Sequence, residues 1–206
     1  MPSFYSYARV ERALAHAFEI PLDQRNRVTA KVKALMKQGL GASERQPGMR
    51  AEYSQGDTDR LLIAISLLNS CLDPQIVART IEANWTRKKG ATKPVTSLEE
   101  IVAKARATPD DDETPGEHGL FLVLMLHAVR DTAEPLQEGE HDETEKLVTI
   151  GYFRPLEFHK HTGKPKDRWR LFFSAGSGSA TRVAIPLSLL IHRLDYALAA
   201  PQGAFQ

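Results

Sequence analysis

Between residues 5 and 85, apolar side chains recur at three- and four-residue spacing in four separate stretches, the pattern of amphipathic helices. In the first, residues 5–18, Val10, Leu14 and Phe18 stand four apart, and Pro21 closes the stretch. The second opens after Asp23, a residue suited to cap a helix start, and runs over residues 24–38 to a stop at Gly39. Residues 40–53 carry two glycines and a proline and read as a loop with two short extended pieces. The third helix follows Ser54, with Asp57 three residues on as an approximate capping box and Leu61, Ile65 and Leu68 on one face. Asp73-Pro74 opens the fourth, which continues through Ile76, Val77 and Ile81 to about Trp85.

The pattern then weakens. Residues 91–118 read as a linker with one short helix, started by the Ser97/Glu100 capping box and ended before Pro109. Residues 120–130 are strongly apolar and suit either a buried strand or a buried helix. Residues 146–153, 168–174 and 180–185 are strand candidates, the last two joined by Gly176-Ser177-Gly178-Ser179. From Pro186 onward, Leu187, Leu190, Ile191, Leu194 and Leu198 form one stripe of an amphipathic helix. The expected fold is α+β: an N-terminal helical unit over 1–90, the acidic linker 91–118, and a small α+β unit over 119–206 with an antiparallel sheet and a terminal helix.

Across 206 residues, 27 lysines and arginines nearly balance 26 acids, so net charge suggests no polyanionic partner. Their distribution does. Between residues 24 and 50 stand Arg25, Arg27, Lys31, Lys33, Lys37, Arg45 and Arg50 against the single acid Glu44. The acids gather elsewhere, in Asp110-Asp111-Asp112-Glu113 and between Glu134 and Glu145. Such asymmetry suits a chain of which one part meets phosphates, though a solvated helix face beside an acidic linker has the same look. No apolar run nears the roughly 20 residues of a membrane span. The N-terminal residues lack a secretory pattern, and Cys71 is the only cysteine, which excludes an internal disulfide and multi-cysteine metal sites. These features lead us to expect a cytoplasmic protein.

On a helical wheel of the second helix, Val28, Val32 and Leu35 make one stripe with Met36 beside it. Asn26, Arg27, Ala30, Lys33, Ala34 and Lys37 occupy the opposite half, with Lys31 on its flank. Small residues among long cations suit a helix that enters a major groove, where alanines let the backbone approach base edges and lysines reach phosphates. An ordinary solvent face is the alternative.

The order of pieces from Arg25 to Trp85, under a third of the chain, resembles the winged helix-turn-helix of MerR-type bacterial transcription regulators. Lys33-Ala34-Leu35-Met36-Lys37-Gln38-Gly39-Leu40 is similar to that family's recognition-helix end, and Gly48-Met49-Arg50-Ala51-Glu52-Tyr53-Ser54 to its wing. A Leu/Ile-rich helix and the Asp73-Pro74 start follow in the family's order. The resemblance implies a sequence-specific double-stranded DNA-binding regulator, with Arg50 and Tyr53 on the DNA backbone and Lys33 toward the groove. The wheel and the charge run put Arg25, Arg27, Ala30, Lys31, Lys37 and Arg45 in the same interface. One small module reads too little sequence alone, so we expect a homodimer on a palindromic site, at the nucleoid when bound, with the C-terminal unit as the candidate dimer interface. The family's aromatic pair in the recognition helix is Ala34-Leu35 here, and its long dimerisation helix has no counterpart. No effector is carried over.

Other chemistries are weaker. His159 and His161, with His141, lack the spacing of a zinc motif and read as solvated. Lys160, Lys164, Lys166, Arg168 and Arg170 around Trp169 describe either a basic hairpin with an aromatic platform or a solvated hairpin with a core tryptophan. The Gly/Ser loop lacks the Gly-Lys-Ser/Thr of a phosphate loop, Ser177 and Ser179 lack a nucleophile elbow, and Cys71 lacks an activating histidine in sequence. We expect no catalytic centre, no metal and no cofactor. Two readings stand beside the regulator: a protein-interaction adaptor built on the winged helix, and an enzyme or small-molecule binder using the C-terminal unit.

Overall fold

The computed structural model describes residues 4–42, 51–70, 72–86, 96–108, 119–126, 148–153 and 181–201. It is mostly helical, with two small antiparallel sheets. The chain enters as strand β1 (Tyr5–Ser6) and turns at once into helix α1 (Tyr7–Ala17). One 3₁₀ turn (Leu22–Gln24) leads into α2 (Arg25–Lys37). Strand β2 (Glu52–Tyr53) pairs antiparallel with β1, Tyr5 opposite Tyr53, and precedes α3 (Gln55–Asn69) and α4 (Pro74–Trp85). Helix α5 (Leu98–Ala107) follows, then β3 (Phe121–Leu126), β4 (Val148–Phe153), β5 (Thr181–Pro186) and α6 (Leu187–Ala199). The second sheet has β3 at its centre, antiparallel to both neighbours in the order β4-β3-β5.

Side-chain caps set the starts of α3, α4 and α5, whereas α2 starts without one: Gln24, not the expected Asp23, stands at its N-cap and makes no capping bond. Ser54 Oγ accepts from the Asp57 amide at 3.2 Å while Asp57 accepts from the Ser54 amide at 2.9 Å, a reciprocal box that satisfies two orphan donors of α3. Ser97 and Glu100 repeat it on α5, and Asp73 accepts from the Gln75 amide at 2.8 Å ahead of Pro74. The end of α2 follows from its glycine. Gly39 takes φ +88°, which lets Leu40 N–H reach the Leu35 carbonyl and Gly39 N–H the Met36 carbonyl, both at 3.1 Å. Leu40 is thereby folded back into the core.

The apolar stretch at residues 120–130, open between helix and strand from its pattern, is strand over Phe121–Leu126. Its entry is fastened to α6: Leu120 N–H donates to Ser188 Oγ at 3.0 Å, and Ser188 N–H donates to the Leu120 carbonyl at 3.2 Å. A Cβ on Gly119 would sit 3.0 Å from Ser188 Oγ, so any larger residue there would press on this bonded hydroxyl.

Helix α5, assigned to the linker, buries Leu98, Ile101, Val102 and Ala105. The stripe of α6 is covered by α1 and α5, with α3 and β3 adding smaller contacts, and one apolar cluster runs from Val10 to Leu198. Leu187, Leu190, Ile191, Leu194 and Leu198 are therefore spent inside this chain, not left for a second copy. Arg9 on α1 donates to the carbonyls of Leu198 and Ala200, tying down the end of α6 from the opposite end of the sequence.

A polar junction runs through the same region. Arg106 on α5 donates to Asp195 Oδ2 of α6 at 2.6 Å and to Asp59 Oδ1 of α3 at 2.7 Å. Gln55 donates to both carboxylates, at 3.0 Å to Asp195 and 3.2 Å to Asp59, and accepts from the Tyr5 hydroxyl at 3.2 Å. Burial lowers the affinity of Arg106 for its proton, but its bonds to Asp195 and Asp59 outweigh that and raise it. At Asp59 the balance is reversed: burial pushes the carboxyl above the usual carboxylate range, and Arg106 and Gln55 only partly offset it.

Because the folded protein holds the Asp59 proton more tightly than the unfolded chain does, Asp59 favours folding most at acid pH. That contribution fades as pH rises through its raised value. Arg106→Met removes the offsetting cation. The Asp59 side chain is 6% exposed and that of Arg106 34%, so water replaces the lost partner only in part. Denaturant unfolding at neutral pH should show a loss of about 2–3 kcal/mol, below the full cost of stranding a wholly buried charge. The deficit should narrow as pH falls through the raised Asp59 value and its carboxyl takes up a proton, and an equal deficit at neutral and at acid pH would contradict this account.

Candidate nucleic-acid interface

Helix α2 has two unlike faces. Val28, Val32 and Leu35 are buried, packed against α1 and α3, and Met36 is half-buried beside them. This is the stripe the sequence pattern predicts, and it fixes the rotation of the helix about its axis. Asn26, Arg27, Ala30, Lys33 and Lys37 are exposed on the other side. Residues 26, 30, 33 and 37 fall within about 60° on a helix of 3.6 residues per turn, so they form one row.

The cations assigned to this surface separate into two groups. Arg27, Lys33 and Lys37 make no ion pair or hydrogen bond among the described residues, and no acidic side chain shares α2 with them. Lys31 is different: half-buried on the flank, its ammonium donates to Asn69 Oδ1 of α3. Arg25 is half-buried and engaged. Both belong to the seating of α2, not to its free face. Thr29 is turned away as well, its hydroxyl donating to Glu11 of α1 and to the Arg25 carbonyl at 3.2 Å.

Tyr53 is the clearest correction. The expectation put its side chain on the DNA backbone, but the ring has 0% exposure. Its hydroxyl contacts Met36 Sδ at 3.7 Å, and its ring lies 6.2 Å from that of Tyr7. The reason is strand alternation: Glu52 is exposed, so its neighbour in β2 must face inward. Period-two reading of Ala51-Glu52-Tyr53 would have signalled this. Burial raises the Tyr7 hydroxyl above its ordinary range, aided by the charge of Glu11 and by Tyr53. Arg45, Gly48 and Arg50 lie outside the described residues, as do the segment around Trp169 expected as a basic hairpin, the histidines at 141, 159 and 161, and Cys71.

Sequence reasoning missed the junction of Arg106, Asp59, Asp195 and Gln55. Its members lie up to 140 residues apart, and no local spacing announces them. Helix α2 itself carries no acid to offset this face, and Ala30 adds little bulk among its cations. Among the described residues no group of three or more His, Cys, Asp and Glu is placed to hold a metal ion, and no helix is long and apolar enough to cross a membrane. No protein-family model matches the chain, and no curated protein matches it.

The reassignment of Tyr53 is testable on the protein alone. Tyr53→Phe deletes only the hydroxyl and its weak contact to sulfur, and should cost under about 1 kcal/mol of stability. Tyr53→Ala empties a buried aromatic site and should cost about 3–5 kcal/mol. Urea unfolding of both variants checks this, and near-equal stability of the two would return Tyr53 to the surface.

Proposed function

We propose that the protein is a divergent MerR-like winged helix-turn-helix regulator that binds double-stranded DNA. In this reading α2 enters the major groove, and the segment from Arg45 to β2 runs along the backbone. The observation that carries it is the exposed face of α2, where Arg27, Lys33 and Lys37 make no ion pair among the described residues, held outward by the buried stripe opposite. The pairing of β1 with β2 supports it too, since it anchors the end of the wing segment beside the start of α1.

Affinity would come from release of counterions by Arg27, Lys33 and Lys37, joined by Arg45 and Arg50. A single small module reads few base pairs, so two copies on a palindromic site are the arrangement this reading carries with it. Light scattering at micromolar concentration checks that part. The apolar stripe of α6 is not the surface on which those copies would meet.

If about five cations each neutralise one phosphate, log K should fall with log salt at a slope near −4.5. Lys33→Glu and Lys37→Glu should each abolish duplex binding in fluorescence anisotropy while leaving folding stability within about 0.5 kcal/mol of the parent. Arg50→Ala should weaken all sequences alike by about 1–2 kcal/mol. Unchanged affinity in both charge-reversed variants would remove α2 from the interface. Affinity indifferent to salt would point to a protein partner.

A further inference from the structure

Resting on the DNA-binding reading above, we propose that Asn26 is the residue through which α2 reads sequence, by pairing with an adenine in the major groove. Three observations lead to it. Asn26 is exposed on the same row as Ala30, Lys33 and Lys37, and it is the only member with both a hydrogen-bond donor and an acceptor. Its carboxamide has no hydrogen-bond partner among the described residues, whereas the nearby polar side chain of Thr29 is committed to Glu11 and the Arg25 carbonyl. Its place is the first turn of α2, the part of a groove-entering helix that comes nearest the base edges.

The row assigns different work along its length. From residue 26 to residue 37 the helix rises about 16 Å, so the ends of the row cannot meet the same base pair. Lys33 and Lys37, at the far end, are point charges on long flexible stems and suit phosphate oxygens. An asparagine side chain is short and must come close to a base. Ala30, one turn along the row, offers only a methyl group, which permits that approach and can itself contact a thymine methyl. A carboxamide fits adenine in particular: Nδ2 donates to N7 while Oδ1 accepts from the N6 amino group. Arg27 stands beside the row, about 100° round from Asn26, where a guanidinium reaches backbone or a neighbouring guanine.

The test is enrichment of bound duplexes from a random pool, run with the wild-type chain and with Asn26→Ala, followed by anisotropy on the enriched and on a random duplex. Wild type should enrich an adenine at one position of each half-site. Asn26→Ala should lose discrimination at that position by about 10- to 100-fold while keeping its affinity for random duplex and its salt slope. Asn26→Asp, which can only accept, should move the preference there from adenine toward cytosine. If Asn26→Ala retains every wild-type preference, or weakens all duplexes equally, the assignment is overturned while DNA binding stands. If the wild-type chain binds no duplex at all, the proposed function itself fails.

Discussion

Helix α2 can present cations to the outside only because Val28, Val32 and Leu35 are held on the inside. Those three side chains, packed on α1 and α3, set the rotation of the helix, and each long cation on the other face inherits its direction from them. The glycine stop reinforces this by returning Leu40 to the same core directly beyond the last basic residue. Rotation of α2 by one residue, about 100°, would bury part of the row and expose a valine. The surface chemistry thus depends on an apolar contact that never touches a ligand.

That core is shared with the end of the chain. Helix α6 lies against α1, and the end of α6 is held by Arg9, while Arg106 links α3, α5 and α6 through two carboxylates. Gln55, the first residue of α3, joins this junction to Tyr5 of β1, which pairs with β2. A polar chain therefore connects α6 to the β1–β2 pair. Asp59 is the group in it that burial strains most, which makes the junction sensitive to the loss of its one cation.

Local signals were legible from residue order. The capping boxes at Ser54 and Ser97, the Asp73-Pro74 start and the Gly39 stop each depend on side chains within a few residues, and all four stand where the pattern puts them. The buried and exposed faces of α2 were equally plain, because a 3.6-residue period survives any tertiary arrangement. What was not legible was partnership over distance. A linker helix and a core helix share one pattern when the helix is ten residues long, so the pattern left the burial of α5 open. The α6 stripe announced burial without saying that α1 would cover it. Tyr53 was assigned outward by likeness to a motif, although its own alternation with Glu52 pointed inward.

The central claim is that one face of α2 meets a DNA duplex while the opposite face holds the helix in place. Titration of isotope-labelled protein with a short duplex, followed by amide NMR, tests it most directly. The account predicts shifts concentrated at Asn26, Arg27, Ala30, Lys33 and Lys37 and in the loop that follows, with the α6 amides little changed. Shifts centred elsewhere on the surface, or none at saturating duplex, would contradict it.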